Sequence, residues 1–192
     1  MAVSNRRFSR PVVAWLAIAP LVWILAALPA RADSVWLLVD TGASTLSVMD
    51  GDSVRRRFGD ISIGRGGTTR DKRSMDGRTP LGEFTIIAIS RDTPFHLFVR
   101  LDYPTPEHAR RALETGAISA RQFRAVERAA QNRMLPPQQT VLGGYIGIHG
   151  IGKGSPEIHE QFNWTNGCIA LTNTQMDELS HWLQVGMKVA VR

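Results

Sequence analysis

Apolar and polar positions change period several times along this chain, and each change predicts an element. Val35–Val39 is a short apolar run, long enough for a buried strand and too short for a helix. Thr45–Met49 alternates polar and apolar, the period of a half-buried strand. Asp50-Gly51 follows at once as a hairpin turn, with Val54–Phe58 as the return strand and Asp60–Ile63 as its extension. Residues 64–78 show no period and carry glycines and mixed charges, which predicts a loop. Thr79-Pro80-Leu81-Gly82 reads as turn chemistry. Strands are expected again over Phe84–Ile89 and Phe95–Leu101.

The period then becomes helical. Thr105-Pro106-Glu107 combines a capping hydroxyl, a first-turn proline and an acid near the positive end of a helix dipole. Gly116 ends that helix. Ser119-Ala120-Arg121-Gln122 is a capping box that opens a second one, and Pro136-Pro137 stops it. Residues 105–135 are thus a helical pair between strands. Strand character returns at Tyr145–His149 and Ile169–Leu171. Thr174–Leu183 reads as a short helix and Lys188–Arg192 as a closing strand. The pattern describes a mainly β domain with a helical insertion.

The first 32 residues follow a different logic. Arg6, Arg7 and Arg10 precede an uncharged, apolar stretch from Pro11 to Pro29, and Ala30-Arg31-Ala32 is an A-x-A cleavage signature. This is the layout of a secretory signal peptide over 1–32, with an uncleaved anchor as the alternative. It leaves one domain, 33–192, in an exported, periplasmic or cell-envelope protein. It also changes the charge balance. The whole chain carries 23 basic and 17 acidic residues, but four of the basic ones and none of the acidic ones lie in 1–32. The remaining excess is small and makes no case for nucleic-acid binding. The basic residues that remain are uneven: Arg55, Arg56, Arg57, Arg65, Arg70, Lys72, Arg73 and Arg78 cluster within one stretch, either a solvated surface or a patch for an anionic substrate.

There is one cysteine, Cys168, so no internal disulfide can form. In an exported chain a lone thiol in a polar Gly-Cys turn points to nucleophilic catalysis. His149, at the end of an apolar run, is the natural base, and Gly150 beside it leaves room for a carbonyl to approach the imidazole. The backbone amides of Gly167 and Cys168 are candidate oxyanion donors. His159 is a rival base or a substrate-binding group. No spacing of His and Cys here is a metal-ligand signature, and no metal or organic cofactor is implied.

These residues resemble the L,D-transpeptidases with the YkuD-type catalytic domain. The family pattern is a histidine, a spacer, then Ser/Thr-His-Gly-Cys. Here Gly150–Trp164 separates His149 from Thr165-Asn166-Gly167-Cys168. Gly77–Ile86 is similar to the family's Thr-Pro-x-Gly-x-Phe segment, and Leu37–Gly51 to its opening hairpin. The resemblance implies an L,D-transpeptidase-like β-sandwich or barrel with the helical insertion and a short C-terminal helix. It implies that Cys168 attacks the bond between the third and fourth residues of a peptidoglycan stem peptide, that D-alanine leaves, and that the acyl group passes to an amine. Carried over, Cys168 is the nucleophile, His149 the base, Gly150 the carbonyl that orients it, and Gly167 an oxyanion donor. Asn166, Thr165, Arg78, Thr79, Pro80 and His159 become candidate substrate-binding residues, with Arg65, Arg70, Lys72 and Arg73 facing stem carboxylates. Peptidoglycan stem peptides are the expected partner, and a wall-attached protein a further one. Two positions depart from the family: its second histidine is Asn166, and its arginine two after the cysteine is Ala170.

Three other readings compete. Water in place of the amine gives an L,D-carboxypeptidase or a related hydrolase. A wall-binding module without catalysis fits poorly with both His149 and Cys168 present. Asp40-Thr41-Gly42-Ala43 resembles the signature of retroviral-type aspartic proteases, but no second copy occurs, and a turn between two strands explains it as well.

Overall fold

The structure is a computed structural model that describes Met1 and residues 35–192. The signal peptide expected over 1–32 lies, Met1 apart, outside the described residues. Within them, ten strands and four helices follow in chain order: β1 (Val35–Asp40), β2 (Thr45–Asp50), β3 (Ser53–Phe58), β4 (Thr68–Thr69), β5 (Thr79–Pro80), β6 (Gly82–Ser90), β7 (Phe98–Leu101), α1 (Pro106–Glu114), α2 (Ala120–Gln131), β8 (Gly147–Gly150), α3 (Pro156–Gln161), β9 (Ile169–Leu171), α4 (Asn173–Leu179) and β10 (Lys188–Val191). Among these, no helix is long and apolar enough to cross a membrane.

Eight strands form one mixed sheet in the order β3-β2-β1-β10-β6-β7-β8-β9. Two neighbouring pairs, β1 with β10 and β8 with β9, are parallel. The parallel β8–β9 pair requires a crossover connection, since no tight hairpin can join parallel strands. The segment from Ile151 to Cys168 supplies it and carries α3, a helix that the sequence pattern did not reveal. Its start has a plain cause: the Ser155 side chain accepts from the Ile158 amide and Pro156 sits in the first turn.

Asp60–Ile63 does not extend β3. Beyond Phe58 the chain leaves its pairing with β2 and meets the opposite edge of the sheet, β9. Ser62 and Ala170 exchange hydrogen bonds (3.0 and 2.7 Å), and Thr165 N–H donates to the Ile63 carbonyl (3.1 Å). This segment links the two edges, so the sheet curls around a core that includes Leu37, Val48, Ile86, Leu101, Ile148, Ile169 and Met176. Thr79-Pro80 is likewise no turn: it forms β5, parallel to β4, and β6 begins at Gly82.

The helical pair starts where its signals place it, but the expected capping hydroxyl of Thr105 makes no cap hydrogen bond and instead meets His108 Nδ1 (2.7 Å). Pro106 opens α1 after Thr105, and Ser119 with Gln122 forms a capping box on α2. A second capping box, Thr172 with Gln175, starts α4. Asp40 caps the turn between β1 and β2 by accepting from the Ala43 amide (3.0 Å), as the turn explanation of Asp-Thr-Gly-Ala requires.

Candidate active site

Strand register brings the candidate nucleophile and base together. On the parallel pair, Ile148 stands beside Ile169 and His149 beside Ala170. One step back places Cys168 beside Gly147. Side chains alternate across a strand, so the buried Ile148 and Ile169 share the core face. His149 and Cys168 therefore share the other face, one diagonal apart, roughly 8 Å between Cα atoms by strand spacing and rise.

His149 is held on all sides. Its Nδ1 lies 2.8 Å from the Gly150 carbonyl. A carbonyl only accepts, so Nδ1 carries the hydrogen and Nε2 keeps its lone pair. Its ring packs against Phe95 (4.5 Å between centroids), stacks with Phe98 (6.0 Å) and meets Trp164 edge-on (5.8 Å). Burial in this aromatic setting holds the imidazole below its ordinary titration range, against the Gly150 hydrogen bond, and so keeps it neutral.

Cys168 is partly buried by surface area, and its thiol donates to the Tyr145 carbonyl (3.4 Å). Desolvation by the surrounding protein pushes the thiol up to about 11, with a Gly147 backbone contact and the Lys72 charge working in the opposite direction. The resting pair is thus a neutral thiol and a neutral imidazole. That combination can pass a proton from sulfur to Nε2 once a substrate replaces the Tyr145 contact.

The turn before Cys168 is stapled by one side chain. Thr165 Oγ1 donates to the Cys168 carbonyl (2.7 Å) and accepts from the Gly167 amide (3.1 Å). The Gly167 amide is therefore engaged, while the Cys168 amide makes no hydrogen bond among the described residues. Gly167 has φ +127°, and a Cβ there would meet the Arg78 carbonyl at 2.5 Å and Lys72 Nζ at 3.1 Å. Only glycine fits both the backbone angle and the space. Lys72 is itself buried, with its ammonium on Asp76 (2.6 Å). Burial pushes the Asp76 carboxyl up, but Lys72 and two backbone amides outweigh it and hold the group below its usual range.

Among the described residues, two clefts flank Tyr145. One, about 350 Å³, is lined by Phe95, Phe98, Arg100, Tyr145 and Cys168 together with Ser90, Asp92 and Thr93. The other, about 580 Å³, is lined mainly by residues with polar groups, among them Arg65, Lys72, Gln138, Tyr145 and Asn166. Of the expected substrate-binding residues, then, Asn166 lies on a cleft wall. Thr165 is buried and shapes the turn. Thr79 and Pro80 are buried in β5, where Thr79 Oγ1 accepts from the Gly64 amide (2.8 Å). Arg78 brings its backbone carbonyl, rather than its charge, against Gly167. His159 is buried behind Trp164, whose indole N–H donates to its Nδ1 (3.3 Å). That bond uses the lone pair a base would need. The basic stretch also divides: Arg65 and Lys72 line the larger cleft, whereas Arg55, Arg56 and Arg57 lie on the edge strand β3, paired with Asp50, Glu178 and Ser47 respectively. Sequence reasoning missed Tyr145, Phe95 and Phe98, which line the cleft beside Cys168, and Trp164, which packs against His149. Only Trp164, next to the motif, carried any local signal.

The L,D-transpeptidase catalytic domain family, YkuD, matches residues 34–191. No curated protein sequence matches the chain. Among solved structures, the helical cell shape determining protein Pgp2 from Campylobacter jejuni aligns with a TM-score of 0.55 at 20% identity, covering 83% of this chain and 48% of that one. Bd1075 from Bdellovibrio bacteriovorus aligns with a TM-score of 0.52 at 16% identity, with the same coverage of 83% and 48%. The chain spans about half the length of these structures, and at such identities the likeness is one of fold. Fold and family match agree over nearly all the described residues, and the chain belongs to the L,D-transpeptidase family with a YkuD catalytic domain.

Proposed function

We propose that this protein is a peptidoglycan L,D-transpeptidase working through a Cys168 thioester in the cell envelope. The observation that carries the reading is the placement of Cys168 and His149 on one face of adjacent strands, with His149 Nδ1 donating to the Gly150 carbonyl and Nε2 left free. Cys168 attacks the carbonyl of the third residue of a stem peptide as its proton passes to His149 Nε2. The Cys168 amide supports the oxyanion. When the tetrahedral adduct collapses, the C–N bond breaks, His149 returns the proton to the leaving D-alanine amine, and the acyl group stays on sulfur. An amine from a neighbouring stem then attacks the thioester, His149 takes its proton, and the thiol is released.

Water as the second nucleophile would make the same scaffold an L,D-carboxypeptidase. Incubation of the purified protein with tetrapeptide muropeptides separates the two. A crosslinked dimer with released D-alanine is the expected product. A tripeptide with free D-alanine would replace the transpeptidase reading by the hydrolase one. Turnover that persists in Cys168→Ala would overturn both.

A further inference from the structure

The register that pairs His149 with Cys168 extends one strand further. On β7, Phe98 stands beside His149 and Arg100 beside Gly147. Two rows therefore cross β7, β8 and β9 on the same face: Phe98, His149 and Ala170 in one, Arg100, Gly147 and Cys168 in the other. Gly147 has no side chain, and a Cβ there would strike the Val99 carbonyl at 2.5 Å and the Phe98 ring at 2.7 Å. Arg100 and Cys168 thus flank Gly147, over which the Phe98 ring lies, roughly 10 Å apart at Cα by twice the strand spacing. Both line the same cleft of about 350 Å³.

Arg100 is held without being neutralised. Its guanidinium sits over the Phe98 ring (5.8 Å) and the Tyr145 ring (5.6 Å). Among the described residues it joins no ion pair, although Asp92 also lines the cleft. A guanidinium fixed between two rings has already given up most of its rotamer freedom, and its donor fork remains open to a bidentate partner. An adjoining cleft of about 200 Å³ shares Ser90, Phe98 and Arg100 and adds Arg133, so positive charge continues away from the sulfur.

We propose that Arg100 is a carboxylate-binding residue of the Cys168 cleft, taking an anionic group that flanks the carbonyl the thiol attacks. The proposal rests on Cys168 being the nucleophile, but its test does not need transpeptidase turnover. Iodoacetate and iodoacetamide both alkylate a thiolate, which displaces iodide to form an S–C bond, and they differ in carrying a carboxylate or a neutral amide. The two rates at Cys168 are measured at about pH 9 by intact-protein mass spectrometry on the purified protein, on Arg100→Gln and on Arg100→Lys.

The iodoacetate to iodoacetamide ratio is expected to fall about threefold to tenfold in Arg100→Gln. Arg100→Lys keeps part of it, and added salt lowers the wild-type ratio toward that of Arg100→Gln. A merely structural role for Arg100 changes both rates together and leaves the ratio in place, which overturns the proposal. A ratio unchanged in Arg100→Lys and Arg100→Gln alike does the same, and it covers the case in which one variant folds poorly. A Cys168 that neither reagent alkylates overturns the proposal together with the nucleophile reading. A changed ratio without any muropeptide product leaves the anion site standing and removes the transpeptidase reading alone.

Discussion

The Cys168 thiol is held as a thiol. Its hydrogen points to the Tyr145 carbonyl at 3.4 Å, and ionisation would leave a sulfur anion facing an oxygen lone pair. With desolvation pushing the group up to about 11, little thiolate exists near neutral pH. On the proposed mechanism, reaction then depends on direct transfer to His149 as substrate enters, rather than on a standing thiolate–imidazolium pair. A further influence on the sulfur is Lys72, buried against Gly167 and tied to Asp76. Its charge favours the thiolate. Iodoacetamide alkylation of the wild type is therefore expected to climb from about pH 9 to about 11 instead of levelling off near the ordinary thiol range. At fixed pH, Lys72→Met is expected to slow it about threefold to tenfold while Lys72→Arg does not. A wild-type profile already flat at about pH 8 would show that the thiol is not held up by burial.

At the level of elements, the working unit is β8–α3–β9 with the turn that ends it. The histidine and cysteine were legible because each sits beside a glycine at a strand end, and their separation is the length a parallel crossover needs. The helix inside that crossover was not legible, because six residues of mixed polarity give no period. Asp60–Ile63 fits a strand extension by its apolar positions alone. Only the position of β9, distant in sequence, shows that this segment bridges the sheet instead. The same limit explains Phe95, Phe98 and Tyr145: they meet His149 and Cys168 through the pairing of β8 with β7 and with β9, which no local pattern encodes. Thr165 shows how strongly the turn depends on one hydroxyl. Thr165→Val keeps the shape but strands the Gly167 amide and the Cys168 carbonyl, both of which bonded to Oγ1. The expected cost is about 1–3 kcal/mol in chemical denaturation, with a larger proportional loss of alkylation selectivity, while Thr165→Ser retains most of the stability. Equal midpoints for Thr165→Val and the wild type would mean that the turn is held by other contacts.

Across the whole molecule, the histidines at 108, 149 and 159 are buried as neutral rings, and together they set an acid limit on the fold. His149 donates to the Gly150 carbonyl; His108 lies between Thr105 Oγ1 (2.7 Å) and the Leu81 carbonyl (3.0 Å); His159 accepts from Trp164. Burial holds all three below the ordinary value of 6.5. A lowered histidine means that the unfolded chain binds protons which the folded one refuses. The stabilising difference is fully present above pH 6.5 and is lost as pH falls through the folded values. The sign is reversed at Cys168. Its raised value means the folded thiol stays protonated while the unfolded one ionises near its ordinary 9.0, so stability falls between pH 9 and about 11. Thermal melting points are therefore expected to be highest between about pH 7 and 9. The acid limb should begin below pH 6.5, before the pairing of Asp71 with Arg111 and Asp76 with Lys72 is lost at still lower pH. Each histidine forced to take up a proton adds a limiting slope of about 1.4 kcal/mol per pH unit. His159→Gln, which keeps a polar group against Trp164 but cannot titrate, should make that limb shallower, and Cys168→Ala should flatten the alkaline one. An acid limb that starts only below about pH 4 would assign the loss to the carboxylates and leave the buried histidines without a part in it.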